Sequence, residues 1–523
     1  MPAPRFITSE SQMGAPGVYV KENAPAVPTR GQRNRVIGFA GKCLRGPVGK
    51  LVFCDDYRRF LDVFGGRDRA VNGGTRAGDV WAALQGRRWG KIAVARVAAA
   101  AAVAASFNYE TAAGGGGTEV LKVTASSVGL WGNDVKGKVT DATNGDVDAF
   151  NFVVKLYGVV KTYQNLKIKT STDDNLLLVV GSDDANWIVL TKLANGRPIN
   201  NAPSTDGADA DGFVSLGQTV SGYTSVAGTD GSIADSDYIA TGGPMDMIND
   251  ARGIHACAVV GRSNTALKTY VDGTLAPRAS QRVWFVCPDD ATVLYTAAIT
   301  ERATLDSDRE SYWFNHGNEV DPVTQATVSM EPFLSVLSIL SQTDPDVHPG
   351  DFDNAVYTRA VRSVTFELSD PIRDALDKGG VSFIWRDQDD KGNDVVIPGN
   401  ALTCDFDENN QDLDGRYMKD FILNACANRI RGDQFKGNTP SNRAARAGAI
   451  SSFLEGLARS DRYILRSESG VPQFSYVNNS SVNSPSDQTA GDQHELLIAT
   501  LIPKVKRALL NATIGVDAVI SEQ

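Results

Sequence analysis

The sequence predicts a multidomain α+β protein, with α/β bodies, an inserted all-β domain and extended strand-bearing arms at both ends. Three observations carry this prediction. At 523 residues the chain exceeds what one domain of the usual ~100–200 residues encloses. Strand-like and helix-like periodicities alternate on both sides of a stretch, residues 106–240, that holds short strands and little helical pattern. Both ends carry β-prone runs with no adjacent hairpin partner.

The first 30 residues contain five Pro, yet Pro16 to Glu22 is a β-prone run between turn signals. Pro25 and Pro28 interrupt the next segment, so the strand around Gly17, Val18, Tyr19, Val20 and Lys21 is expected to pair with a distant strand or another subunit. From Arg35 the pattern becomes regular. Val36–Ala40 reads as a strand, and Tyr57, Phe60, Leu61 and Phe64 fall at i, i+3, i+4 and i+7 before Gly65, which gives an amphipathic helix with a glycine stop. A helix at Asp79–Gln85 and a strand at Ile92–Val97 complete an α/β unit, and the Ala run with Gly114–Gly117 marks a linker.

Short strands at Val120–Val123, Phe152–Leu156 and Leu176–Val180 define the insert, and the Gly-, Asp-, Ser- and Thr-rich residues 201–236 read as surface loops. Strands at His255–Val260 and Val283–Cys287, with a helix near Thr265–Thr274, resume the body. Beyond residue 355, strands are expected at Val364–Leu368 and Val381–Trp385, with a helix at Pro371–Lys378 between Ser369 and Gly379-Gly380. Two longer helices follow, striped by Met418, Phe421, Ile422 and Ala425 and by Ala447, Ile450, Leu454 and Leu457. A strand at Leu496–Ile502 and a β-prone run holding Ile514, Val516, Val519 and Ile520 end the chain. The resulting division is 1–30 as a strand arm, 31–105 with 241–350 as a discontinuous α/β domain, 106–240 as the β-rich insert, 351–502 as a C-terminal α/β domain and 503–523 as a second arm.

Fifty-two Lys and Arg against 62 Asp and Glu give a net charge of −10, which argues against nucleic acid as a partner. The start has no basic segment followed by an apolar core, and Ile92 to Ser106 is too short and Ala-rich to span a bilayer, so assembly in the cytoplasm without membrane insertion is expected. Six scattered cysteines without C-x-x-C spacing read as small buried hydrophobes.

No phosphate loop, nucleophile elbow or zinc helix is present, and the four His lie far apart, so no catalytic residue, cofactor or metal is assigned. Asp405 and Asp407 occupy positions one and three of a would-be calcium loop, but Asn410 stands where glycine is needed and Arg416 where the bidentate Glu belongs. Asp387, Asp389, Asp390 and Asp394 flank Lys391-Gly392-Asn393, which reads as a hairpin turn. The row Arg443, Arg446, Arg459 and Arg462 reads as a solvated helix face or as a surface that meets an acidic partner.

The N-terminal region resembles phage tail sheath proteins. Pro16-Gly17-Val18-Tyr19-Val20-Lys21-Glu22 is followed at the expected distance by Ile37-Gly38-Phe39-Ala40-Gly41 and Arg45-Gly46-Pro47. Phe60 and Phe64-Gly65-Gly66 are similar to the family's aromatic helix and glycine stop, and Gly129-Leu130-Trp131-Gly132-Asn133-Asp134 looks like its G-x-W-G-N turn. The chain departs from the family's T-D-x-x-x-G-V-W-x-x-P-A-N segment, having Thr343-Asp344-Pro345-Asp346 and then His348-Pro349-Gly350-Asp351. The resemblance implies a structural subunit that forms a helical homo-oligomer of stacked rings around an inner tail tube protein, meets baseplate and tail terminator proteins, and contracts without a nucleotide. It places the protein in a virion tail or extracellular injection particle and makes the Arg443–Arg462 row a candidate tube-facing surface. A capsid or tube protein, or an enzyme using the Asp405–Asp414 loop, are the rival readings.

Overall fold

Strands whose every residue is apolar or small suit a parallel sheet covered on both faces, and the chain uses them that way. The computed structural model describes residues 5–7, 19–21, 35–66, 68–69, 75–76, 78–168, 184–200, 206–251, 253–278, 282–321, 325–350, 361–388, 392–407, 411–432, 439–460, 463–479, 481, 496–499 and 501. The chain divides into two units, residues 33–414 and residues 1–32 with 415–523.

In the larger unit an eight-stranded sheet runs in the order Asp394–Pro398, Ser382–Gln388, Glu310–Phe314, Val283–Val286, Ile254–Val259, Val36–Lys42, Ile92–Val97, Leu51–Cys54. The inner strands are parallel, and the two outermost are antiparallel to their neighbours. Ile92–Val97, Val283–Val286 and Glu310–Phe314 are buried at every residue. Gly38 lets the helix Pro244–Asp250 pack directly on the sheet, because a Cβ there would stand 2.5 Å from Ile248 Cγ2. Trp284, fully buried, donates its indole N–H to Asn249 Oδ1 at 3.0 Å and so ties that helix to the strand.

The helix Tyr57–Phe64 forms where the aromatic spacing places it. Asp56 Oδ1 accepts the Arg59 N–H at 2.7 Å at its start. Gly65 ends it at a φ of 75°, a left-handed conformation that favours glycine.

The described residues of the insert form two four-stranded antiparallel sheets, one of Val159–Lys167, Ala149–Leu156, Lys136–Asp141 and Val214–Ser215, the other of Ile188–Lys192, Glu119–Ala125, Ser106–Glu110 and Ser225–Val226. Both contribute to one core around Phe107, Tyr109, Trp131, Phe150, Phe152 and Ile188. Tyr109 meets Phe152 edge-on at 5.4 Å between ring centroids. The Gly129–Asp134 segment is a tight 3-10 turn that buries Trp131. Its Asn133 clamps the returning chain: Oδ1 accepts the Gly228 N–H at 2.7 Å and Nδ2 donates to the Gly228 carbonyl at 3.0 Å.

Two expectations need correction. The boundary at residue 351 does not separate a C-terminal domain, because Ser382–Gln388 joins the central sheet, pairing Trp313 with Ser382 and Phe314 with Phe383. The division falls instead at Gly415, inside the helix Leu413–Gly432. The strand expected at Val364–Leu368 is only the pair Ser363–Val364, which adds to Gly317–Val320, before the chain bends. The expected strand at Leu176–Val180 lies outside the described residues.

In the smaller unit the helices Leu413–Gly432 and Pro440–Arg459 pack through Met418, Phe421, Ile422, Ile450 and Leu454. Thr439 caps the second helix by accepting the Asn442 N–H at 3.2 Å, with Pro440 in the first turn.

Candidate functional site

The sequence points to backbone edges rather than to a catalytic cleft, and the smaller unit carries such an edge. Phe474–Val477 and Leu496–Ala499 pair antiparallel, with Phe474 opposite Ala499 and Val477 opposite Leu496. No third strand joins this pair among the described residues. Side chains alternate across a strand, and here Leu497 and Ala499 face the helical core while Leu496 and Ile498 stay 46% and 59% exposed. Two strands alone make a marginal sheet in water. An apolar outer face on an open-edged pair is the kind of surface that another strand or chain covers.

The N-terminal run also forms a strand, Tyr19–Lys21. Its register is parallel, with Arg5 opposite Tyr19, Phe6 opposite Val20 and Ile7 opposite Lys21. The expectation of a distant partner or one in another subunit is therefore corrected on one edge: residues 5–7, upstream of the proline interruptions, supply it. Gly17 and Val18, together with Ile514, Val516, Val519 and Ile520 of the C-terminal run, lie outside the described residues.

The arginine row divides. Arg443 and Arg446 are 7% and 5% exposed, because they continue the buried stripe of Ile450, Leu454 and Ala458 toward the helix start. This corrects the reading of both as surface residues that face solvent or a tube. Arg459 is exposed and pairs with Glu455 at 3.2 Å, one turn away. Arg462 lies outside the described residues.

The remaining chemical candidates do not converge. Asp405 Oδ1 accepts the Asp407 N–H at 2.8 Å, which makes a local turn, and residues 408–410 lie outside the described residues. Among the described residues no group of three or more His, Cys, Asp or Glu could hold a metal ion. All six cysteines are buried and unbridged, and burial pushes the thiols of Cys54 and Cys257 up to about 12. No helix among the described residues is long and apolar enough to cross a membrane. Sequence reasoning missed the ion pair of Arg87 with Glu319, whose partners lie far apart in the chain and whose Arg87 side chain is buried.

His255 is a core residue whose Nδ1 accepts the Val36 N–H at 3.2 Å. His316 is buried, and burial lowers its imidazole from 6.5 to about 4, with Asp290 opposing. A histidine held neutral contributes stability that is complete above its ordinary value of 6.5 and is lost as pH falls through about 4. Denaturant melts should therefore show the wild type losing about 3 kcal/mol more than His316→Gln between pH 7 and pH 4. Equal losses in the two proteins would refute this assignment.

No protein-family model matches the chain, and no curated protein matches it. Solved structures do. The sheath tail protein of Desulfitobacterium hafniense is 12% identical, with 93% of this chain and 100% of that one covered at a TM-score of 0.54. The sheath tail protein of Listeria innocua is 12% identical, with 90% and 96% covered at 0.57. The helical sheath of the anti-feeding prophage in its contracted state is 11% identical, with 96% and 99% covered at 0.53. The chain thus has the fold of contractile sheath proteins over 90–96% of its length.

Proposed function

We propose that this protein is the structural subunit of a contractile tail sheath, polymerising helically around an inner tube and shortening to drive that tube through a target envelope. The observation that carries the reading is the sheath fold, matched over 90% or more of the chain, in a protein whose sequence holds no phosphate loop, nucleophile elbow or zinc helix. The fold supplies bodies that can move as rigid pieces, and the ends supply short strands that link copies.

In this reading the edges of Phe474–Val477 and Leu496–Ala499 receive strands from adjacent copies, and the terminal runs around Val18–Lys21 and Ile514–Ile520 lend them. Each added strand of about five hydrogen bonds at ~0.5–1.5 kcal/mol apiece is a modest link, but a head-to-tail contact that does not close repeats into a tube. Contraction draws on a metastable extended packing and hydrolyses no nucleotide. Its partners are further copies in stacked rings, an inner tail tube protein, and baseplate and tail terminator proteins, within a virion tail or extracellular injection particle assembled in the bacterial cytoplasm. Nucleic acid is not among them, in keeping with the net charge of −10.

Electron micrographs of purified assemblies test this. The expected image is a striated hollow cylinder around a thinner tube, in a long narrow form and a short wide one. Closed shells, or a chain that remains single at high concentration, would refute the proposal.

A further inference from the structure

The insert carries the same chemically labile pair, Asn-Gly, in two settings. Asn144-Gly145 lies in the connection between the strands Lys136–Asp141 and Ala149–Leu156, and Asn195-Gly196 follows the strand Ile188–Lys192. A third pair, Asn72-Gly73, lies outside the described residues. A glycine has no side chain to shield its nitrogen, so in this pair that nitrogen can attack the side-chain amide of the preceding asparagine. Asn144 and Asn195 are both exposed, and access of water therefore does not distinguish them. The setting of the glycine nitrogen does.

Gly196 donates its N–H to the Ile168 carbonyl at 3.0 Å, and a Cβ on Gly196 would meet Thr111 and Val120, each at 3.1 Å. Its nitrogen is thus committed and its surroundings are walled in. The Gly145 N–H donates no hydrogen bond among the described residues, and a Cβ there would meet nothing within 4 Å. The flanking turn is nevertheless held: Asn165 Oδ1 accepts the Thr143 N–H at 3.1 Å and the Asn144 N–H at 3.3 Å. Asp146 donates its N–H to Asn144 Oδ1 at 3.1 Å. The carbonyl oxygen that takes on negative charge when the Asn144 amide is attacked therefore already has a backbone donor in place, and such donors stabilise a developing oxyanion.

We propose that Asn144 is a site of spontaneous deamidation in the folded protein and that Asn195 is protected from it. The Gly145 nitrogen loses its proton to solvent and bonds to Asn144 Cγ, closing a five-membered succinimide, and the side-chain nitrogen leaves as ammonia. Water then opens the ring at either carbonyl, leaving an aspartate or an isoaspartate at position 144. Both products add a negative charge to a turn where Asp146 and Asp148 already stand, with Lys167 paired to Asp146 at 2.5 Å. The isoaspartyl form also lengthens the main chain, so the turn now closed by the Asp146 N–H must rearrange. The site is independent of the sheath reading, since it lies within the insert and uses none of the terminal strands.

Peptide mapping by mass spectrometry of the full-length chain, aged at mildly alkaline pH in native buffer and in parallel in concentrated urea, tests the proposal. In native buffer, conversion of the amide to the acid, with isoaspartate the larger product, is expected at Asn144 about tenfold or more faster than at Asn195, because attack at Asn195 first requires the Gly196 hydrogen bond to break and its walls to part. In urea the two sites should react at about the same rate, which shows that the fold and not the local sequence makes the difference. Equal rates at the two sites in native buffer, faster reaction at Asn195, or the same preference for Asn144 in urea as in the folded chain would overturn the assignment.

Discussion

Replacing Leu496 and Ile498 together by lysine is expected to leave the chain folded and abolish its assembly. Both side chains point away from the helical core and are exposed in the isolated subunit, at 46% and 59%. Surface changes of that kind ordinarily alter stability by no more than about 0.5 kcal/mol. In a contact between copies the arithmetic differs. Fully burying a Leu or Ile contributes about 1.5–3 kcal/mol, and an unpaired ammonium in its place adds a desolvation cost of several kcal/mol more. A combined loss of about 4 kcal/mol raises the concentration needed for assembly about a thousandfold. Sedimentation velocity and electron microscopy check the outcome, with an unchanged melting curve as the control for folding. Tubes at the wild-type concentration would show that this face is not an assembly contact.

The bodies of the fold were legible in the sequence because their signals are local. Tyr57, Phe60 and Phe64 marked a helix that the structure closes at Gly65, and Ile92–Val97 was readable as a strand to the residue. The two long helices were legible from their stripes, and Met418, Phe421, Ile422 and Ala425 are all buried. The helix Phe333–Leu340 was not found, because all eight of its residues are buried and a helix covered on every side has no apolar stripe. Expected as a longer helix, Thr265–Tyr270 passes instead into a π-helical turn at Val271–Leu275, a change of hydrogen bonding that side-chain spacing does not encode.

Long-range pairing was the least legible feature. Nothing near Ser382 announces that it lies beside Trp313, so the boundary was placed some 60 residues too early, at residue 351 rather than Gly415. The N-terminal strand failed the same way in miniature, since its partner at Arg5–Ile7 pairs with it in parallel, which no hairpin signal announces. Arg443 and Arg446 misled because charge suggests solvent, whereas long arginine stems can extend an apolar stripe.

In the proposed sheath, short terminal strands hold copies of the chain together. Residues 5–7 and 19–21 form a parallel pair of three residues each, too short to stand alone in water, and such a pair gains by adding to a sheet that already exists. Removal of residues 1–22 deletes both strands and leaves the larger unit, residues 33–414, untouched. Electron microscopy of that truncated protein, beside its melting curve, is the direct measurement. Folded, dispersed subunits that form no tubes are the predicted result, and sheaths of normal length and striation would contradict the account.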